Sequence, residues 1–263
     1  MHIIKFTSLI FLIFALSCSN ETKVADEIVK QRDTLGVKEN ATSAAVQKDS
    51  TIPVSLSQSE LPFYISYKGN NFYAAYKWFD KTGNNILVLS TSSASVNNKE
   101  IGETENSIEL FARLINLKDP NKPAIVWDMY DAEKKCIFDI TCEFVDHNVT
   151  DLDNDSVKEI MIMYKLCCRS DVSPATMKLI MREGKTKYAL RGKMVFIIPD
   201  IPDSLFADTR EIDLTKISKE ELEKTMFRDW GCYENANDFK NAPVFLDYAK
   251  QFWRDHSVEN AKD

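Results

Sequence analysis

The sequence predicts an α+β domain made mainly of antiparallel β-sheet, in meanders and hairpins, with two C-terminal helices packed on the sheet. Three observations predict this fold. Short runs of β-branched and aromatic residues recur between turn-forming residues, as is typical of hairpins. Residues 160–164, Ile-Met-Ile-Met-Tyr, form an unbroken apolar run, which indicates a strand buried on both faces. Near the C-terminus, apolar residues recur instead at the helical period.

Nine strands are expected. Alternation is clearest after Cys136, where polar residues at every second position predict a half-buried strand. Turn-forming residues separate neighbouring strands, as in 80–85 and at Glu183-Gly184, which fits a hairpin turn. Residues 90–102 are polar and are expected to form a loop. The predicted strands are 63–67, 72–79, 86–90, 108–114, 124–130, 136–145, 159–166, 177–181 and 186–190.

Two helices follow the strands. Ser218 and Glu221 have the spacing of a capping box, which predicts a helix from there to about Trp230. Pro243 begins a last helix, because proline is tolerated in a first turn. In that last helix an apolar stripe predicts docking on the sheet. The stripe consists of Phe245, Tyr248, Ala249 and Phe252.

The first 17 residues have the features of a bacterial lipoprotein signal peptide. A lysine at position 5 precedes an apolar stretch, 6–16, that is too short to span a bilayer as a mature helix. Ala15-Leu-Ser-Cys18 resembles a lipobox. That resemblance implies cleavage before Cys18 and acylation of its thiol and of the new amino terminus. Multiple acyl chains anchor a protein stably in a lipid membrane.

Residues 18–60 are expected to be a flexible spacer. They are rich in charged and small polar residues, and no aromatic residue occurs between Phe14 and Phe63. Such a segment buries too little apolar area to offset the entropy of ordering it. The predicted organisation is therefore a signal peptide (1–17), an acylated cysteine with its tether (18–60) and one β-rich domain (61–256). Ser19 is compatible with transfer to the outer membrane, on its periplasmic or cell-surface side.

Charge and composition exclude several classes of protein. The chain of 263 residues has a formal net charge of −7 and a pI of about 5.2. A nucleic-acid partner would require a basic face, so this acidic balance argues against a nucleic-acid-binding protein. Neither a P-loop nor a G-x-G-x-x-G fingerprint is present in the sequence.

An acidic loop precedes the apolar strand and predicts a metal site. Asp151, Asp153, Asp155 and Glu159 occupy alternating positions of this loop, and the Val157 carbonyl can assist them. Oxygen ligands that converge in a tight turn suit Ca²⁺, which binds six to eight of them. The strand, acidic loop, strand and hairpin together resemble one unit of the FG-GAP type, in which such a loop binds calcium. The sequence therefore predicts a structural Ca²⁺ site.

The cysteines suggest one disulfide. Acylation of Cys18 removes one of six cysteines and leaves five in an oxidising compartment. If Val145 lies opposite Glu159 in an antiparallel pair, Cys136 faces Cys168 on one side of the sheet. The predicted bridge is Cys136–Cys168. A register slip of two residues would remove this pairing, and five reduced, buried thiols are the other alternative.

A wider resemblance is carried by the segments 78–83, 151–159, 164–165, 168–174, 177–180, 187–192 and 242–245. Together they resemble a family of Gram-negative lipoproteins labelled surface polysaccharide biosynthesis proteins. The likeness covers roughly residues 69–253. It implies a link to envelope polysaccharide but no reaction. Family members usually have glycine at the sixth loop position, where this chain has Ser156, although that position favours φ > 0.

Two functional classes remain open. The first is a non-catalytic envelope lipoprotein that binds or scaffolds a glycan or an envelope protein. The second is a metal-assisted enzyme acting on envelope polysaccharide, because Asp151-Leu-Asp153 and Asp153-Asn-Asp155 match the D-x-D pattern of glycosyltransferases. No βαβ alternation precedes that motif. Only His147 and His256 follow the signal peptide, and His147 is interpreted as a solvated turn residue. The non-catalytic class is therefore preferred.

Overall fold

The computed structural model describes residues 51–119, 122–197, 216–224 and 229–259. The predicted signal peptide, Cys18 and the predicted spacer as far as residue 50 lie outside the described residues. Within those ranges, no helix combines the length and the apolar character needed to cross a bilayer.

Five antiparallel strands form the first sheet, and their spatial order is their order in the chain. Gly102, in the turn between the third and fourth strands, has a φ of 74°, a left-handed conformation that glycine adopts without a steric penalty. The strands are β1 (Val54–Leu56), β2 (Asn71–Asp80), β3 (Gly83–Asn98), β4 (Glu103–Asn116) and β5 (Ala124–Cys136).

Four antiparallel strands form the second sheet, again in chain order. They are β6 (Asp139–Thr150), β7 (Glu159–Arg169), β8 (Thr176–Glu183) and β9 (Thr186–Lys193). A short parallel pair, β10 (Val195–Phe196) and β11 (Val258–Glu259), brings the C-terminal segment beside the second sheet's last strand. The mainly antiparallel character expected from the sequence is confirmed.

The main hydrophobic core lies between the two sheets. The first sheet contributes large buried side chains such as Trp78, Leu89 and Trp127, and the second contributes Phe144 and Ile162. A residue on the inner face of one sheet therefore packs against the other sheet, as in a β-sandwich.

A helix covers the outer face of the second sheet. This helix, α2 (Pro243–His256), buries Phe245, Ala249, Phe252 and Trp253 in a cluster with methionines and leucines of β7 and β8. The indole of Trp253 also donates to the carbonyl of Gly231 at 2.7 Å. The apolar stripe expected from the sequence is thus the docking face.

The other predicted helix is short in the described residues. It is α1 (Lys219–Lys224), and the expected capping box is present: Glu221 N–H donates to Ser218 Oγ at 3.2 Å, and Ser218 N–H donates to Glu221 Oε2 at 3.0 Å. Its first three residues are exposed. Residues 225–228 lie outside the described residues, so the predicted extension toward Trp230 does too.

Strand β7 is buried on both faces, as the sequence predicts. Its residues from Glu159 to Cys167 are all buried. Ile160, Ile162 and Tyr164 face the core between the sheets, whereas Met161 and Met163 face the helix side. A strand covered by a sheet on one side and a helix on the other needs apolar residues at every position.

Several boundaries differ from the sequence prediction. Strand β1 lies inside the predicted spacer, where Val54–Leu56 pairs with β2, and β11 extends the fold beyond residue 256. Residues 63–64 form a turn and residues 65–67 have no regular structure, so the predicted strand is absent there, and Phe63 is 99 % exposed. Residues 91–98, predicted as loop, continue β3. Pairing with β4 along the whole of that segment supplies the hydrogen bonds that its polar sequence did not suggest.

Candidate metal site

The acidic loop connects β6 to β7 and has the backbone of a tight turn. Asn154 and Ser156 both have positive φ, 61° and 68°. Ser156 therefore adopts the left-handed conformation for which glycine is better suited. Aspartate side chains stabilise the turn by accepting hydrogen bonds from its backbone N–H groups. Asp155 N–H donates to Asp153 Oδ1 at 3.1 Å, Val157 N–H to Asp155 Oδ1 at 2.7 Å, and Ser156 N–H to Asp151 Oδ1 at 3.3 Å.

The loop brings its carboxylates into two overlapping groups. In each group, one oxygen per carboxylate lies within 4.8 Å of the others. The first group contains Asp151, Asp153 and Glu159. The second contains Asp153, Asp155 and Glu183. Three of the four predicted carboxylates thus converge as expected, and Asp155 belongs to the neighbouring group.

Sequence reasoning missed Glu183, the last residue of β8. It lies directly opposite Glu159 in the β7–β8 ladder, where side chains of paired residues are close neighbours. The turn at Gly184 can be recognised in the sequence and predicts where β9 begins. The sequence does not show which residue of β7 pairs with Glu183, because that depends on the register between β7 and β8. The Val157 N–H donates to Asp155 Oδ1, and the Val157 carbonyl as a ligand stays a prediction.

Glu159 is the most unusual member of the site. Its side chain is fully buried. Oxygen Oε2 accepts hydrogen bonds from Leu152 N–H at 2.8 Å and Thr150 Oγ1 at 3.0 Å, whereas Oε1 is buried without a partner among the described residues. Burial raises the pKa of Glu159, and the charge of Asp153 raises it further, against the effect of those hydrogen bonds. A buried carboxylate oxygen without a donor is costly unless a cation compensates it.

The charge of the site is strongly unbalanced. Five carboxylates belong to the two groups, and the ion pair that the described residues show there joins Lys158 Nζ to Asp151 Oδ2 at 3.3 Å. Burial raises the pKa of Glu183, and the charges of Asp153, Asp155 and Glu159 act in the same direction. The cluster therefore has the oxygen ligands and the negative charge that could hold a metal ion.

The loop also contacts the first sheet. Lys81 N–H, in the turn between β2 and β3, donates to the carbonyl of Ser156 at 2.8 Å, and Lys158 N–H donates to Asp80 Oδ2 at 3.3 Å. Asp80 is itself buried and accepts from the Trp78 indole at 2.8 Å. Through these hydrogen bonds the acidic loop connects the second sheet to the first sheet at the N-terminal end of β7.

The two histidines lie in strand and helix, not in the loop. His147 belongs to β6, where its Nε2 lies 2.8 Å from the Tyr76 hydroxyl, and burial lowers its pKa. The interpretation of His147 as a solvated turn residue is therefore wrong. The sequence 147–150 continues β6 because β7 offers it partners. His256, at the end of α2, pairs with Asp146 at 2.8 Å. Both histidines have partners outside the acidic groups.

A disulfide joins Cys136 to Cys168, with Cα atoms 5.7 Å apart. This is the expected pair, but the expected register is wrong. Cys168 lies opposite Ile140 in the β6–β7 ladder, and Cys136 is the last residue of β5. The turn at residues 137–138 brings the end of β5 beside the end of β7, so the bridge connects the two sheets.

The other described cysteines are buried thiols. Burial raises the pKa of Cys142 to about 11 and raises the pKa of Cys167. A thiol with a raised pKa is a poor nucleophile at neutral pH. These two residues therefore act as small apolar side chains in the two cores.

No protein-family model matches the chain, and no curated protein and no solved structure matches it either.

Proposed function

We propose that the chain is an envelope lipoprotein of the outer membrane, facing the periplasm or the cell surface and anchored through acylated Cys18. Its β-rich domain binds Ca²⁺ at the acidic loop and acts without catalysis, in the assembly or binding of surface polysaccharide, with a glycan or an envelope protein as partner. The observation that carries the metal part is Glu159, a fully buried carboxylate whose Oε1 has no hydrogen-bond partner among the described residues. The disulfide supports an oxidising compartment.

Ca²⁺ is the cation that this arrangement favours. Calcium accepts carboxylates and backbone carbonyls in flexible geometry, whereas Mg²⁺ requires a near-ideal octahedron. Asp151, Asp153 and Glu159 supply the first ligands. Asp155 and the Val157 carbonyl complete the proposed set from the same loop. A single turn that provides alternate oxygens fits the larger and more adaptable ion.

A structural role is favoured over a catalytic one. A metal-assisted enzyme needs a cation that faces its substrate, but the deepest proposed ligand, Glu159, is buried between Thr150 and Leu152. The loop is also fixed to the first sheet through Lys81 and Asp80. A cation bound there would neutralise the cluster and hold the two sheets together.

Calcium is expected to stabilise the full chain. At a free concentration of 100 times Kd, a ligand specific for the folded state adds about 2.7 kcal/mol, which corresponds to an increase in Tm of about 5–11 °C for a domain of this size. Isothermal titration and thermal melting with calcium or with EDTA measure the effect. Glu159→Gln, which keeps the size of the side chain, is expected to abolish it.

Asp247→Asn is the matched control, because Asp247 is an exposed carboxylate on α2. The pH dependence gives a second readout. Burial raises the pKa of Glu159 in the folded state. Without calcium, the stability that this residue contributes in its protonated form is therefore lost as pH rises through that pKa. Calcium binds the ionised form, so the calcium-dependent rise in Tm should grow as pH rises through the same pKa. Equal melting curves with calcium and with EDTA would contradict the proposed site.

Acylation at Cys18 is tested by metabolic labelling in a Gram-negative host. The wild-type chain is expected to incorporate an alkyne-tagged fatty acid, and Cys18→Ala is expected to lose the label, because the thiol is the proposed acceptor. Cys167→Ala, which removes a buried thiol, serves as the control and should stay labelled. Labelling that persists in Cys18→Ala would rule out this anchor.

A further inference from the structure

A basic cluster lies on the inner face of the second sheet, in a chain whose formal net charge is −7. Lys178 and Arg182 belong to β8, and Lys187 and Arg191 belong to β9. The ladder places Lys178 opposite Arg191 and Arg182 opposite Lys187. Like charges directly opposite each other destabilise a sheet. Two such pairs in succession therefore call for a compensating anion.

The protein itself supplies little compensation. Asp131 of β5 pairs with Lys178 at 2.6 Å, and Asp238 acts on Lys187 only through its charge. Arg182, Lys187 and Arg191 form no salt bridge with any described residue. Burial lowers the pKa of Arg182, and no carboxylate opposes that effect. Three cationic side chains thus share one face without a salt-bridge partner among the residues that the structure describes.

A buried aromatic residue lies at the centre of the cluster. The Arg182 guanidinium lies over the Trp127 ring, 4.9 Å from its centroid, and Trp127 is only 7 % exposed. Trp127 Nε1 and Arg182 Nε are both buried donors without an acceptor among the described residues. Buried N–H groups are nearly always paired. These two donors belong to side chains that are stacked on each other, and both lack an acceptor among the described residues, which indicates a missing acceptor nearby.

The topology leaves this face accessible. β5 is the last strand of the first sheet, and it reaches β8 through the Asp131–Lys178 and Trp127–Arg182 contacts. β9 lies one strand further out, and its Lys187 and Arg191 are exposed. The face is separate from the acidic loop, since residues 182 and 183 alternate to opposite sides of β8.

We infer that Arg182, Lys187 and Arg191, with the Trp127 indole, form a binding site for an oxyanion, a carboxylate or a phosphate group of a ligand. The planar guanidinium fork matches either group with two parallel hydrogen bonds. Stacking on Trp127 fixes Arg182 for this contact. The site goes beyond the proposed calcium function and does not depend on it.

The experiment follows the indole N–H signals of the ¹⁵N-labelled full chain in calcium-free buffer. Inorganic phosphate and acetate are the probes, glucose is the neutral control, and Trp127→Phe assigns the signal. Saturable shifts of the Trp127 signal with either anion, weakened by added NaCl, are expected. The two arms show whether phosphate or carboxylate is preferred.

Arg191→Gln and Arg182→Met are each expected to weaken binding at least about tenfold, the loss that one charge-assisted hydrogen bond represents. Lys185→Gln removes one positive charge from the neighbouring hairpin turn and should leave the affinity unchanged. If Arg182→Met fails to fold, Arg191→Gln, at an exposed position, still decides the question. No shift with either anion, or equal weakening in Lys185→Gln, would overturn the inference.

Discussion

Replacing both Cys136 and Cys168 with alanine is expected to lower the free energy of unfolding by about 3.7 kcal/mol, the value that chain entropy gives for a closed loop of this length. The bridge spans 32 residues of sequence. Those residues include the whole of β6 and nearly the whole of β7, so the unfolded chain gains much freedom when the bridge is absent. Cys136 belongs to β5 of the first sheet and Cys168 to β7 of the second. Loss of the bridge therefore releases one connection between the sheets.

Urea unfolding of the full chain measures this effect, with and without a reducing agent. The wild-type chain should lose stability on reduction, whereas the double variant should show the same midpoint in both conditions. Cys142→Ala is the matched control, because it removes a buried thiol but keeps the bridge. Its cost comes from packing alone, and it should keep the response to the reducing agent. A double variant as stable as the oxidised wild type would contradict the prediction.

Strand β7 and helix α2 show how far local sequence determines this fold. The unbroken apolar run from 160 to 164 predicts a strand that is covered on both faces, and β7 is buried in this way. The stripe in α2 likewise selects the face that docks. Both inferences need only the burial of apolar area. They require no knowledge of which strands are neighbours.

Strand register is a different problem, because it depends on residues far apart in sequence. Alternation predicts that β6 ends at Val145, yet β6 runs to Thr150 with an irregularity between Phe144 and Asp146. Such a bulge shifts every later pair and cannot be read from alternation. The same limit hid Glu183, whose place opposite Glu159 depends on the β7–β8 pairing.

The acidic loop was predictable in its chemistry but not in its setting. Alternating carboxylates indicated a cluster that could hold a metal ion, and Ser156 indeed has the positive φ that its position demands. Contacts with Lys81 and Asp80 depend on packing between the two sheets. That packing places the loop at one end of β7 and the disulfide at the other. The two sheets are therefore joined at both ends of one buried strand.

Replacing Glu259 with glutamine is expected to lower the free energy of unfolding by about 3 kcal/mol, the cost of leaving buried partners without their counter-charge. Glu259, in β11, is only 4 % exposed. It accepts two hydrogen bonds from Arg169, at 2.9 and 3.1 Å, and lies 3.4 Å from Lys165 Nζ. Glutamine keeps the shape but leaves both cations without this anion. Arg169 lies close to Asp171 in sequence, but the ion pair that the structure shows joins it to Glu259.

Glu143→Gln is the matched control for this substitution. Glu143 pairs with the same Lys165, at 3.0 Å, but its side chain is 44 % exposed, and exposed ion pairs contribute only about 0–1 kcal/mol. Urea unfolding of both variants therefore separates a buried counter-charge from an exposed one that shares its partner. Because β11 also pairs with β10, the loss of Glu259 should increase hydrogen exchange first in the C-terminal segment and in β10. Equal costs for the two variants would show that Glu259 holds no buried charge in place.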